Sequence, residues 1–351
     1  MLSLAGAPAT GANPVLQTLY GFGTNPKNPQ AALVQASDGN FYGTTAFGGS
    51  AGENGTIFRI SSDGTLDGEL NPFFSFNGAV GSRPLAGLIQ GTDGNLYGTT
   101  AFGGAGGDYG TIFKITLGGV LTPLFSFRGT NGSRPQAGLV QGNDGSFYGT
   151  TAAGGLADNG TVFKITPAGA FTLLYSFPSN GRDGVSPLGA LIQHTDGNFF
   201  GTTSLGGSSG NGIVFRITPA GVFTLLASFN GANGSGPAAG LVRGADGNFY
   251  GTTQFGGLTD NGTVFKVTPS GVLSSVFSFS GPNGNYPVAP LALGTDGNFY
   301  GTSAGDRAFG GNNTFGTAFR VTSAGSLTTL VFFNFNNGAC PVAGLTLGRD
   351  G

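Results

Sequence analysis

Six aspartates, Asp38, Asp93, Asp144, Asp196, Asp246 and Asp296, each open a near-copy of one eight-residue stretch, Asp-Gly-Asn-Phe-Tyr-Gly-Thr-Thr. A carboxylate repeated so regularly raises calcium first. Calcium asks for about six to eight converging oxygens, and one Asp in a two-residue turn does not supply them. Asp-Gly-Asn read as a hairpin turn accounts for the aspartate without a metal. A second pattern is Gly-Ser-Arg-Pro, at 81–84 and 132–135, which sets Arg83 and Arg134 at equivalent places in neighbouring units. Two guanidinium forks so placed are able to grip a carboxylate or a sulfate. Variable glycine-rich loops add Asp108, Tyr109, Asp158, Asp260, Tyr286, Asp306 and Arg307 as ligand-contacting candidates. Acids among them could serve general acid–base chemistry on a polysaccharide.

Other chemistries find less support. His194 is the sole histidine and stands where other units carry Gly91, Gly142 or Gly244, with no acidic partner evident. Cys340 is the sole cysteine, which excludes an intrachain disulfide and a multi-cysteine metal site. No Gly-x-Ser-x-Gly elbow is present, and the Gly-Gly pairs lack the helix and Lys-Ser/Thr of a phosphate cradle. Arg59, Lys114, Lys164, Arg216, Lys266 and Arg320 recur at one place per unit and read as structural. The expectation is no catalytic residue, no cofactor and no metal.

The elements that position these residues follow from the period. The motif aspartates, with Asp350 as a seventh, are 55, 51, 52, 50, 50 and 54 residues apart. Each unit reads as four short strands. Strand A (Ala137 to Gln141) leads through the Asp-Gly-Asn turn to strand B (Phe-Tyr-Gly-Thr-Thr). A glycine loop leads to strand C (Thr161 to Thr166), and a tight turn to strand D (Ala170 to Phe177). Strands B and C carry apolar or small residues on both faces, as strands sandwiched between neighbours do. Four-stranded units of this length form an all-β propeller of antiparallel blades, with no helix expected. With 70 Gly but also 32 Phe and 9 Tyr, the chain is an ordered β protein and not a linker.

Counting strands predicts six complete blades and a partial seventh, with Val15–Phe22 as its D strand and Ala343–Leu347 as its A strand. Residues 1–14 read as a disordered leader and 15–351 as one propeller domain. The stop at Arg349-Asp350-Gly351, within a predicted turn, reads as a truncation. Strand direction puts the A–B and C–D turns on one face and the longer B–C and D–A loops on the other. The candidate residues named above all fall on the long-loop face, where binding is expected. The sixth unit has the longest B–C loop, Ala304 to Phe315.

The unit at 138–177, GLVQGNDGSFYGTTAAGGLADNGTVFKITPAGAFTLLYSF, closely resembles the tandem repeat called GloVer, or Gloeo_Verruco. The likeness runs over nearly all of 15–351, with a looser similarity to kelch blades. The resemblance implies a bacterial protein that is exported or attached to the cell surface. A net charge of −2 with no basic face argues against nucleic acid. No apolar run approaches the roughly 18 residues of a membrane helix. Three readings remain: a monomeric, non-enzymatic binding scaffold for a glycan or surface protein, a polysaccharide lyase or hydrolase, and a structural or adhesive spacer.

Overall fold

The computed structural model describes residues 27–61, 73–306, 314–334 and 336–347, together with the backbone of Leu2–Leu4 and Leu16–Thr18. Six four-stranded antiparallel sheets follow one another, each built from consecutive strands, and are arranged as a six-blade propeller. No α-helix occurs among the described residues. In the third blade A is Val140–Gln141, B is Phe147–Thr151, C is Thr161–Ile165 and D is Phe171–Ser176. Residues 336–347 form no strand, and Leu16–Thr18 pairs with Leu2–Leu4, so no seventh blade is among the described strands.

Strand order within a blade is set by packing. Strand A lies at the axis, where inner segments of adjacent blades nearly touch: a Cβ on Gly189 would collide with the Ala239 carbonyl. Strands B and C are buried on both faces, and strand D is the half-exposed outer edge. The core is not inside any blade but between blades. One cluster joins Tyr97, Ile112 and Phe127 of the second blade to Leu139, Phe147, Phe163 and Ile165 of the third. Equivalent clusters fill the other four junctions between successive blades.

The insistent motif is explained residue by residue. Its second aromatic stacks on the first aromatic of the next blade, Tyr97 on Phe147 and Tyr148 on Phe199, each at 4.0 Å between centroids. Its glycine clears space for a ring: a Cβ on Gly149 would lie 2.5 Å from Cζ of Phe163. Of its two threonines, the first reaches the next blade, Thr150 Oγ1 donating to the Gly189 carbonyl at 3.3 Å. The second pairs within the blade, Thr151 Oγ1 lying 2.7 Å from Thr161 Oγ1.

Candidate functional site

The turn face is a closed hydrogen-bond system. Asp93 accepts from the Asn95 backbone N–H (3.2 Å), the Asn95 side chain (2.8 Å) and the Tyr97 hydroxyl (2.7 Å). Lys164 Nζ adds an ion pair to Asp144 at 2.8 Å. Gln141 crosses to the preceding blade, accepting from the Thr92 N–H at 2.9 Å. Burial pushes the Asp93 carboxyl up, but bonds from Asn95 and Tyr97 outweigh it and hold it below its ordinary 3.8. Burial and the same carboxylate push the Tyr97 hydroxyl well up. Asp38, Asp144, Asp246 and Asp296 are depressed, and their tyrosines raised, by the same balance.

These shifts fix a pH dependence. A carboxyl depressed by folding stabilises above its unfolded pKa, and the contribution is lost as pH falls through the folded value. A tyrosine raised by folding stabilises below its unfolded pKa of 10.0, and that contribution is lost as pH rises through the folded value. Stability is therefore expected to be flat with respect to these groups between about pH 5 and pH 9 and to fall on both sides. Denaturant midpoints across this range check it, and Tyr148→Phe should reduce the alkaline fall.

The fourth blade departs from this pattern because Phe200 replaces the tyrosine and removes the hydroxyl. His194 fills the space left by the usual glycine, its ring edge-on to Phe200 and Phe249. The sequence suggests no acidic partner for it, yet Nδ1 lies 3.1 Å from Asp196 Oδ1. The sole histidine thus takes over a structural tyrosine's contact with the turn.

The long-loop face is built differently. Each D–A loop ends on a residue held at positive φ immediately before a proline: Asn28, Arg83, Arg134, Ser186, Gly236, Tyr286 and Cys340, with φ between 52° and 65°. A non-glycine residue held there costs on the order of 1–3 kcal/mol unless its surroundings fix it. They do. The Arg134 N–H donates to the Tyr109 carbonyl at 3.0 Å, and the Arg134 carbonyl accepts from the Ala152 N–H at 3.1 Å. The same pair of bonds recurs at Arg83, Ser186, Gly236 and Tyr286. The backbone is therefore constant while the residue is not: only arginine, at 83 and 134, occurs twice.

Beside each such residue stands one from the B–C loop, joined by a bridge such as Ser82 to Phe102, Ser133 to Ala153, Val185 to Leu205 or Ser235 to Phe255. The result is a ring of side chains at the mouth of the axis. On one side Arg83 lies 4.9 Å from the Phe47 ring and 5.2 Å from the Phe102 ring, and Arg134 lies 5.7 Å from Phe102. On the other, Leu205 is exposed and Phe255 meets Tyr286 edge-on at 5.6 Å.

The acidic candidates serve the loops. Asp108, Asp158 and Asp260 accept from the Gly103, Gly154 and Gly256 N–H groups at 2.6–2.7 Å, holding the Gly-Gly turns. Asp306 accepts from the Thr314 N–H at 2.6 Å and Thr314 Oγ1 at 2.8 Å, tying the ends of the longest loop. Tyr109 covers Gly129 and is half-exposed. Arg307 lies outside the described residues. Arg83 and Arg134 thus share the Phe102 ring, Tyr286 meets Phe255 on the later blades, and the four acids sit in loop scaffolding. The partners Phe47, Phe102 and Phe255 are not evident from the sequence, although a residue before proline at a constant place in each unit marks the position they face. No three His, Cys, Asp or Glu side chains are grouped to hold a metal among the described residues.

Six successive four-stranded blades built on one repeated sequence define the class: a repeat propeller. The chain belongs to the Gloeobacter/Verrucomicrobia repeat family, whose pattern matches residues 7–203 and 187–351. No curated protein matches it in sequence. Among solved structures it is similar to virginiamycin B lyase from Staphylococcus aureus, at 18% identity and TM-score 0.63, over 90% of this chain and 87% of that one. It also resembles the extracellular domain of a hybrid two-component system from B. thetaiotaomicron, at 14% identity and TM-score 0.59, over 93% of this chain and 37% of that one. A third is a protein described as a 6-phosphogluconolactonase from Bacteroides uniformis, at 18% identity and TM-score 0.56, over 89% and 87% of the two chains. These likenesses concern the fold.

Proposed function

We propose that the protein is a binding scaffold that engages a glycan or surface protein through the mouth on its long-loop face. One observation carries this reading. In each blade a rigid positive-φ position before a proline carries a residue that the repeat does not fix, and it stands beside a B–C loop residue, Phe47, Phe102, Ala153, Leu205 or Phe255, that varies as well. Architecture demands the conformation there but not the residue, so the residue is free to serve recognition. The likeness to extracellular domains and the family membership favour work outside the cell. An enzyme is the second reading, raised by structural neighbours named as a lyase and a lactonase. Against it, Asp108, Asp158 and Asp260 each hold a loop N–H through Oδ1, and the sole histidine, His194, stands on the opposite face beside Asp196. The full chain applied to a glycan array should give saturable binding to at least one glycan; no signal above background favours a spacer.

We also infer a seventh position in the ring. Residues 340–346 repeat an inner segment's contacts: the Cys340 N–H donates to the Phe315 carbonyl at 2.7 Å, and Thr302 Oγ1 donates to the Ala343 carbonyl at 3.1 Å. Thr346 Oγ1 then donates to the Leu33 carbonyl of the first blade at 2.8 Å. The pairs Leu4↔Leu16 and Ser3↔Gln17 have the register of a C–D pair, as in Ile165↔Phe171 and Lys164↔Thr172. Thr346→Val should lower stability by about 0.5–1.5 kcal/mol, read from the urea midpoint. An unchanged midpoint contradicts a seam at that point.

A further inference from the structure

We propose that Phe47, Arg83, Phe102 and Arg134 form a subsite for an acidic polysaccharide, with its carboxylate or sulfate groups bound by the two arginines. The inference rests on the loop-face reading above and names its ligand class.

The four side chains alternate ring, cation, ring, cation across the first three blades. Both arginines are exposed, and neither has a carboxylate within ion-pair distance among the described residues. Stacking against the aromatic faces restrains each guanidinium and leaves its N–H edge open. A planar fork fixed in this way is matched to a bidentate oxyanion. Because one ring, Phe102, touches both cations, the two forks are held at a set separation. A ligand with acid groups repeated along a chain gains from both.

The surroundings favour a sugar chain over other polyanions. Nucleic acid carries a phosphate at every residue and needs an extended basic surface; here two cations stand in a molecule of net charge −2. An acidic peptide would seek backbone partners along a strand edge, but the mouth's backbone groups are already joined, Ser82 with Phe102 and Ser133 with Ala153. A polysaccharide needs neither. It offers oxyanions to the forks and C–H faces to the half-buried edges of Phe47 and Phe102, and to Phe255 and Tyr286 across the mouth.

The test is equilibrium binding of the full chain to oligogalacturonate, to chondroitin sulfate, to a neutral cello-oligosaccharide and to poly-glutamate. The variants are Arg83→Ser, Arg134→Ser and the double change. Serine already occupies this position, at the same φ, as Ser186, so folding should be preserved and is checked by the melting profile. Wild-type protein should bind at least one acidic glycan, with affinity falling as salt rises. Each single change should weaken binding about 10-fold and the double about 100-fold, while Arg→Lys restores only part. Oligogalacturonate binding alone assigns carboxylate, and chondroitin sulfate binding alone assigns sulfate. Equal binding of the double variant, or preference for poly-glutamate or the cello-oligosaccharide, overturns the subsite. If a neutral glycan still binds at the mouth, the loop-face reading survives that result; if no glycan binds at all, the subsite falls and so does the glycan arm of the loop-face reading.

Discussion

Gly160→Ala is expected to lower the unfolding free energy by about 3 kcal/mol or more, because two penalties coincide. Gly160 has φ +97°, a conformation that L side chains rarely adopt, and its new Cβ would collide with the Thr151 carbonyl and lie 2.6 Å from Cδ of Pro187. Neither neighbour can yield, since one is strand backbone and the other is the proline that starts the next blade. Gly160 also accepts from the Phe177 N–H at 3.1 Å and donates to the Gly154 carbonyl at 3.0 Å, so a shift there disturbs two further loops. Gly145→Ala separates the two effects: it shares the positive φ, at +77°, but has nothing within 4 Å of the new Cβ. Its cost should be about 1 kcal/mol, the conformational part alone. Urea unfolding of the two variants measures the difference, and equal losses would show that the blade junction is not packed as described.

Phe163→Ala should cost about 3–5 kcal/mol, in the range for deleting a buried aromatic that leaves a cavity. The ring is fully buried, lies over Gly149 of its own blade and meets Phe127 of the preceding blade edge-on at 5.4 Å. Removing it opens a void between two blades, where the stability of a stacked repeat resides. Leu156→Ala, at a position 89% exposed, should stay within about 0.5 kcal/mol of wild type. A loss below about 1 kcal/mol for Phe163→Ala would place the core elsewhere.

Much of the ring was legible in the chain, and the reason is repetition. A turn such as Asp93-Gly94-Asn95 is local chemistry, and six copies at a near-constant period give the strands their order and direction. Buried aromatics in strands B and C likewise announce two-sided packing. The motif was also right as architecture, since its aspartate, tyrosine and threonines are consumed by hydrogen bonds within and between blades. The mouth was legible only in part. Arg83 and Arg134 were visible as a repeated Gly-Ser-Arg-Pro, but their aromatic neighbours come from a different loop and, for Arg83 over Phe47, from the preceding blade. No local pattern encodes that juxtaposition. The loop acids looked like chemistry because exposed carboxylates do; only the geometry shows Asp158 or Asp260 bound to a glycine N–H. His194 reads as a lone base, and only packing shows that it compensates for the missing hydroxyl at Phe200.

Recognition is proposed to belong to the long-loop mouth and not to the turn face. The direct measurement is one glycan array read with three proteins: wild type, the mouth variant Arg83→Ser/Arg134→Ser/Tyr286→Ser, and the turn-face variant Ala168→Glu/Ala220→Glu, whose positions are exposed on C–D turns. Wild type and the turn-face variant should bind the same glycans, while the mouth variant loses them with its melting profile unchanged. Binding that survives in the mouth variant and is lost in the turn-face variant would contradict that assignment.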